Sequence, residues 1–134
     1  MRVLRAETLP VASEQDIVLS RQAVRRACQE VGFSLVDQTK MITAASELAR
    51  NTVVYGGGGT MQLEVLNSGG RDGLRLRFED KGPGIADLEQ ALTDGFTSGK
   101  GLGLGLSGSR RLVNDFEIQS EPGRGTTVTV ARWR

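Results

Sequence analysis

Phe78-Glu79-Asp80-Lys81-Gly82-Pro83-Gly84-Ile85 carries an apolar strand into a carboxylate and then into a turn with two glycines. A carboxylate at a strand end can accept a hydrogen bond from an exocyclic amine, and glycines, having no Cβ, let a flat ring approach the backbone closely. That describes an adenine pocket. The same residues also make an ordinary Pro-Gly turn, so the flanking chain has to decide between the two.

Upstream, Met61-Gln62-Leu63-Glu64-Val65-Leu66 and Leu74-Arg75-Leu76-Arg77-Phe78 alternate apolar with polar residues around the turn-forming stretch Asn67 to Gly73. This pattern predicts an antiparallel hairpin with one wet face. Val3 to Leu9 forms an opening strand; Pro10 breaks it, and Ser13 with Asp16 three positions on announces a helix from about Glu14 to Val31. Ile17, Val24, Cys28 and Val31 recur along it at helical spacing, which gives the lone thiol a core-packing role. Gly32 ends that helix, and Ser34 with Asp37 opens a second from about Val36 to Tyr55. Gly56 to Gly59 read as its stop and a flexible turn, in preference to a ligand contact.

Downstream, the pattern predicts a short helix near Asp87 to Thr93, a glycine-rich loop and a helix from about Leu104 to Asp115. Strands over Glu117 to Ser120 and Thr126 to Trp133 then flank the turn Glu121-Pro122-Gly123-Arg124-Gly125. The expected class is α+β: a two-layer sandwich with a mixed, mainly antiparallel sheet and helices on one face. At 134 residues, one domain spanning 1–134 is expected.

Seventeen basic and 16 acidic residues leave a formal charge of +1 with no basic stripe, which argues against bulk attraction to nucleic acid or to an anionic membrane. With one cysteine and no histidine the chain can make neither an internal disulfide nor a Cys/His zinc site, which fits a reducing cytosol. Met1-Arg2-Val3-Leu4-Arg5 lacks the apolar core of a signal peptide, and no apolar run approaches the roughly 18 residues of a membrane span, so a soluble cytoplasmic protein is expected. Glycine supplies 18 residues, well above the usual share of about 7%, and many cluster around Tyr55 and between Gly95 and Gly108.

Glu47 and Asn51 stand four apart on the second helix and so project from one face, beside Ile42, Ala45 and Leu48. An amide oxygen can ligate Mg²⁺ while a carboxylate orients a hydroxyl or water, a combination suited to phosphate chemistry; such pairs are also common on solvated helix faces. Gly99-Lys100-Gly101-Leu102-Gly103-Leu104-Gly105-Leu106 alternates glycine with leucine just before a helix. Free backbone N–H groups there could wrap phosphates, and Lys100 could add a charge; a mobile hinge is the alternative. The string lacks the Gly-Lys-Ser/Thr ending of a P-loop, and its glycine spacing differs from a dinucleotide fingerprint.

Taken in order, Glu47-Leu48-Ala49-Arg50-Asn51, Asp80-Lys81-Gly82-Pro83-Gly84, Gly101 to Gly105 and Gly123-Arg124-Gly125-Thr126 resemble the four ATP-site boxes of the GHKL superfamily, which covers gyrase, Hsp90, MutL and histidine-kinase ATP domains. Four boxes in the right order are far more specific than any one. Ser46 to Asn51, Asp94-Gly95-Phe96-Thr97-Ser98, Gly101 to Leu106 and Arg110-Arg111-Leu112 narrow the resemblance to RsbT-type anti-sigma-pathway serine kinases, over nearly the whole chain.

The resemblance implies a Bergerat-type ATP-binding fold, with ATP and Mg²⁺ as ligands. It implies that Asn51 binds Mg²⁺, Asp80 holds the adenine amine, Gly82 and Gly84 shape the base pocket, and Thr126 supports Asp80 through a hydroxyl or water. Lys100, Gly101, Leu102, Gly103, Leu104 and Gly105 would cradle the phosphates, although Lys100 stands where the group has a small residue. Glu47 would take or orient the proton of an acceptor serine. The implied partner is a STAS-domain antagonist protein as substrate; a PP2C-type phosphatase or a sigma factor would instead suit a nucleotide-gated binding module. Arg50 has three open roles: the γ-phosphate, an acidic partner surface, or an internal salt bridge.

Overall fold

A computed structural model describes residues 1–85, 92 and 105–134 of the chain. The order is β1 (Arg2–Val11), α1 (Glu14–Val31), α2 (Leu35–Val54), β2 (Gly59–Ser68), β3 (Arg71–Asp80), α3 (Gly105–Arg111), β4 (Asp115–Glu121) and β5 (Gly125–Trp133). The short helix expected near residues 87–93 lies outside the described residues, Leu92 apart.

Both long helices start where the hydroxyl caps predict. The Ser13 hydroxyl accepts the Asp16 N–H at 3.1 Å while the Asp16 carboxylate accepts the Ala12 N–H at 2.9 Å, and the Ser34 hydroxyl accepts the Asp37 N–H at 3.1 Å. The two serine bonds each satisfy a helix-start N–H that has no intrahelical partner, and the Asp16 bond ties down the residue before the cap. Gly32 closes α1 with φ 85°, the left-handed conformation that glycine adopts without a Cβ penalty.

The five strands form one sheet in the order β1-β2-β3-β5-β4, and every pairing is antiparallel. The parallel component expected of a mixed sheet is absent among the described residues, for a topological reason. Two helices, not one, join β1 to β2, so the chain reverses an extra time and β2 returns antiparallel to its neighbour. The sheet's period of two then separates its faces. Met61, Leu63, Leu74, Leu76, Phe78, Val128 and Val130 are buried in a core shared with Val24, Cys28, Met41, Ala45 and Leu48 of the helices. Full burial of an aliphatic or Phe side chain contributes about 1.5–3 kcal/mol. On the other face Gln62, Glu64, Arg75, Arg77, Glu117, Gln119, Thr127 and Thr129 line an open polar hollow of about 360 Å³. The helices therefore cover one face only, as the alternation requires. Cys28 sits in the core, where desolvation pushes its thiol up to about 12, in keeping with a packing role.

α3 is shorter than the helix expected over Leu104 to Asp115. The Asn114 N–H is taken by the Ala131 carbonyl at 3.0 Å, which commits the chain to the sheet before another turn can form. Arg132 of β5 fastens this segment: its guanidinium donates to the Leu112 carbonyl at 2.8 Å and to the Asp37 carboxylate at 2.7 Å. The Arg132 side chain is only 14% exposed and that of Asp37 31%, so the pair is shielded more than a surface bridge. Asp37→Asn is expected to lower stability by about 1–3 kcal/mol by weakening a charge-assisted bond to a mostly buried partner. In urea denaturation this appears as a lower midpoint with an unchanged slope.

Candidate functional site

Asp80 shares the inward parity of Leu74, Leu76 and Phe78 and is the last residue of β3, so its carboxylate faces the helices where the core ends. It lies between Gly59 of β2 and Thr126 of β5 in the ladder. One carboxylate oxygen accepts the Gly82 N–H at 2.9 Å, an Asx turn that folds the chain back after the strand. The other oxygen lies against Gly56: a Cβ at that glycine would overlap the Asp80 carboxylate.

Gly56 is brought there by the end of α2. The Asn51 carbonyl accepts both the Tyr55 N–H at 2.9 Å and the Gly56 N–H at 3.1 Å, bending the chain toward β3. A Cβ on Gly82 would in turn lie 2.7 Å from the Gly56 Cα. Asp80, Gly56 and Gly82 are thus nested, with the Asn51 end of α2 beside them. Gly84 and Gly125 complete the close packing: a Cβ on the first would meet the Glu121 carbonyl, and on the second the Asp80 carbonyl.

The turn after β3 is held from outside by the β4–β5 corner. Gly123 N–H donates to the Pro83 carbonyl at 2.7 Å, and Ile85 N–H donates to the Ser120 hydroxyl at 2.8 Å. Thr126 sits opposite Asp80 in the ladder, and among the described residues its hydroxyl partner is the Ser120 hydroxyl at 2.8 Å and not the carboxylate.

Glu47 and Asn51 are half-buried one turn apart on α2, flanked by buried Leu48, Ala49 and Thr52. The neighbouring hydroxyls are consumed by the helix itself, Ser46 donating to the Ile42 carbonyl and Thr52 to the Leu48 carbonyl, both at 2.9 Å. The side chains of Glu47 and Asn51 make no hydrogen bond or ion pair among the described residues, and so keep their full capacity for a ligand. Arg50, whose role the sequence left open, reaches the Glu14 carboxylate at 3.4 Å, with the two side chains 43% and 74% exposed. A bridge so exposed contributes about 0–1 kcal/mol.

Gly105 opens α3 with φ 69°, and its carbonyl accepts the Ser109 hydroxyl at 3.1 Å. α3 packs on α2 and seats Leu106 in the core. Lys100, Gly101, Leu102, Gly103 and Leu104 lie outside the described residues. No group of three or more His, Cys, Asp or Glu among the described residues could hold a metal. The free Asn51 amide still fits Mg²⁺, since that ion commonly takes one or two protein oxygens and completes its shell with phosphates and water.

Two residues of this site escaped the sequence reading. By sequence alone Gly56 reads as a helix stop and Ser120 as the last position of a strand. Neither carries a local signal for its role, because the partners, Asp80 and Ile85, are distant in the chain.

Residues 36–134 match the family described as histidine kinase-, DNA gyrase B-, and HSP90-like ATPase. The chain is 42% identical over 123 residues to serine/threonine-protein kinase RsbT of Bacillus subtilis, covering 92% of each chain. It is 27% identical to an anti-sigma F factor of Bacillus licheniformis, over 90% of this chain and 86% of that one. Among solved structures, the RsbU and RsbW domains of a Mycobacterium tuberculosis protein superpose with a TM-score of 0.65 at 20% identity, covering 97% of this chain and 33% of that one. That last likeness concerns the fold alone.

Proposed function

The chain belongs to the histidine kinase-, DNA gyrase B- and HSP90-like ATPase family as a serine/threonine-protein kinase of the RsbT type, and we propose that it transfers the γ-phosphoryl group of ATP to a serine of a STAS-domain antagonist in a partner-switching pathway. The observation that carries this is the pairing of two features. The Glu47/Asn51 face of α2, unpartnered among the described residues, stands next to the nested Asp80, Gly56 and Gly82.

In this reading the free Asp80 oxygen accepts the adenine amine, and Gly82 and Gly84 leave room for the ring. Thr126 lines the same end through Ser120. The phosphates extend toward Asn51, and Lys100 to Gly105 would supply the backbone N–H groups that cradle them. Asn51 would hold Mg²⁺, which would supply charge neutralisation at the phosphates. Glu47 orients the acceptor hydroxyl and takes its proton as the serine oxygen bonds to phosphorus and the bond to ADP breaks. The enzyme acts by positioning, with no covalent intermediate on the protein. The whole span 1–134 works as one domain in the cytoplasm without contacting nucleic acid; among the described residues no helix is long and apolar enough to cross a membrane.

The test is transfer from γ-labelled ATP to purified STAS proteins encoded beside this gene. Label on a single serine is expected, and Asn51→Ala should cut transfer at least about 100-fold by removing the metal-side ligand. Tight Mg·ATP binding with every STAS partner unlabelled would sink the reading. The likeness to anti-sigma F factors supports one alternative, a nucleotide-gated module that holds a sigma factor or activates a PP2C-type phosphatase by contact. Partner retention unchanged by Asn51→Ala, without transfer, would favour it.

A further inference from the structure

Among the described residues, the turn that follows Asp80 has no regular hydrogen bonding of its own and hangs on three contacts: Gly82 N–H to the Asp80 carboxylate, Gly123 N–H to the Pro83 carbonyl, and Ile85 N–H to the Ser120 hydroxyl. The last is the only one supplied by a side chain other than Asp80, and it fixes the end of the turn at a residue packed against the core. The same hydroxyl lies 2.8 Å from the Thr126 hydroxyl and 3.2 Å from the Gly125 carbonyl. Thr126 is the ladder partner of Asp80, and Gly125 abuts the Asp80 carbonyl.

A serine hydroxyl has one donor and two acceptor sites. Three contacts use all of them, and they tie β4 to the turn after Asp80 and to the start of β5. Nothing in local folding demands this of Ser120. The β4–β5 corner already has its own turn bond, from Arg124 N–H to the Glu121 carbonyl at 3.0 Å. Ser120 therefore joins the turn after β3 to the β4–β5 hairpin.

We propose that Ser120 is a positioning residue for the nucleotide base, its hydroxyl locking the Asp80–Ile85 turn to the start of β5 so that the free Asp80 oxygen is aimed before ligand arrives. This rests on the ATP-site reading given above. Removing the hydroxyl leaves the Ile85 N–H without its bond and lets the turn move. Ligand must then pay to order it, and that cost falls on affinity. Because the loss arises at the base end, ATP, ADP and adenosine lose affinity by a common factor. The reacting end at Glu47 is untouched.

The experiment measures dissociation constants of the three ligands, steady-state kinetics, and ATP-over-GTP preference for wild type, Ser120→Ala, Ser120→Thr and Asp80→Asn. Ser120→Ala is expected to weaken all three ligands about five- to thirty-fold and to raise KM for ATP similarly, with kcat within about two-fold. It also narrows the preference for ATP over GTP, and Ser120→Thr, which keeps the hydroxyl, restores most of each effect. A merely structural serine would lower the melting temperature of the free protein without changing base preference. Wild-type affinity in Ser120→Ala, beside a collapse in Asp80→Asn, overturns the proposal while leaving the ATP site standing. Unimpaired ATP binding by Asp80→Asn overturns the site reading itself, and this inference with it.

Discussion

Glu47→Gln is expected to slow phosphoryl transfer by about 10²- to 10⁴-fold while ATP affinity stays within about three-fold of wild type. The size follows from the role: a positioned carboxylate that accepts a proton in the transition state is worth that much, and an amide of the same shape cannot accept it. The selectivity follows from the structure. Glu47 is half-buried on a rigid helix and makes no hydrogen bond or ion pair among the described residues, so its replacement breaks no network. Single-turnover transfer at saturating ATP, set beside direct nucleotide binding, separates the two quantities. A parallel fall in both would move Glu47 from proton handling to nucleotide holding. Asn51, one turn farther along the same face, should lose nucleotide affinity as well as transfer, with its defect relieved by raising Mg²⁺.

Local periodicity was enough to place the acidic end of β3. Alternation from Leu74 to Phe78 puts Asp80 on the inward face, and the hydroxyl caps at Ser13 and Ser34 put both helices where they are. Those signals are short in range, and so were readable. What could not be read depends on residues brought together only by the folded arrangement of sheet and helices. The run Gly56 to Gly59 does stop α2, with Gly57 and Gly58 in left-handed conformations, but that account misses its first member. Gly56 is small because Asp80 arrives beside it through the β2–β3 pairing. Likewise Arg50 finds Glu14 on the preceding helix, and the end of α3 is decided by a carbonyl on β5. In each case the deciding partner belongs to another element, and no window along the chain contains both.

Gly56→Ala is expected to weaken ATP binding about 10- to 100-fold, close to the effect of losing the Asp80 charge-assisted bond itself. The added methyl would occupy the space of the Asp80 carboxylate, so the carboxylate has to turn away from the oxygen position that meets the base amine. Gly82 limits the escape, since its own backbone packs against Gly56 and its N–H holds the other carboxylate oxygen. Backbone strain has no part in this, because φ at Gly56 is not in the left-handed region. The neighbouring glycine supplies the contrast. Gly57 has φ 73° and open space where a Cβ would stand, so Gly57→Ala should cost about 1–2 kcal/mol of stability through conformation while leaving affinity near wild type. Two adjacent glycines thus carry crossed signatures, one read by nucleotide titration and the other by denaturation. If Gly56→Ala lost stability but bound ATP normally, the glycine would be no more than the helix stop its sequence suggests, and the nested contact with Asp80 would not shape the base pocket.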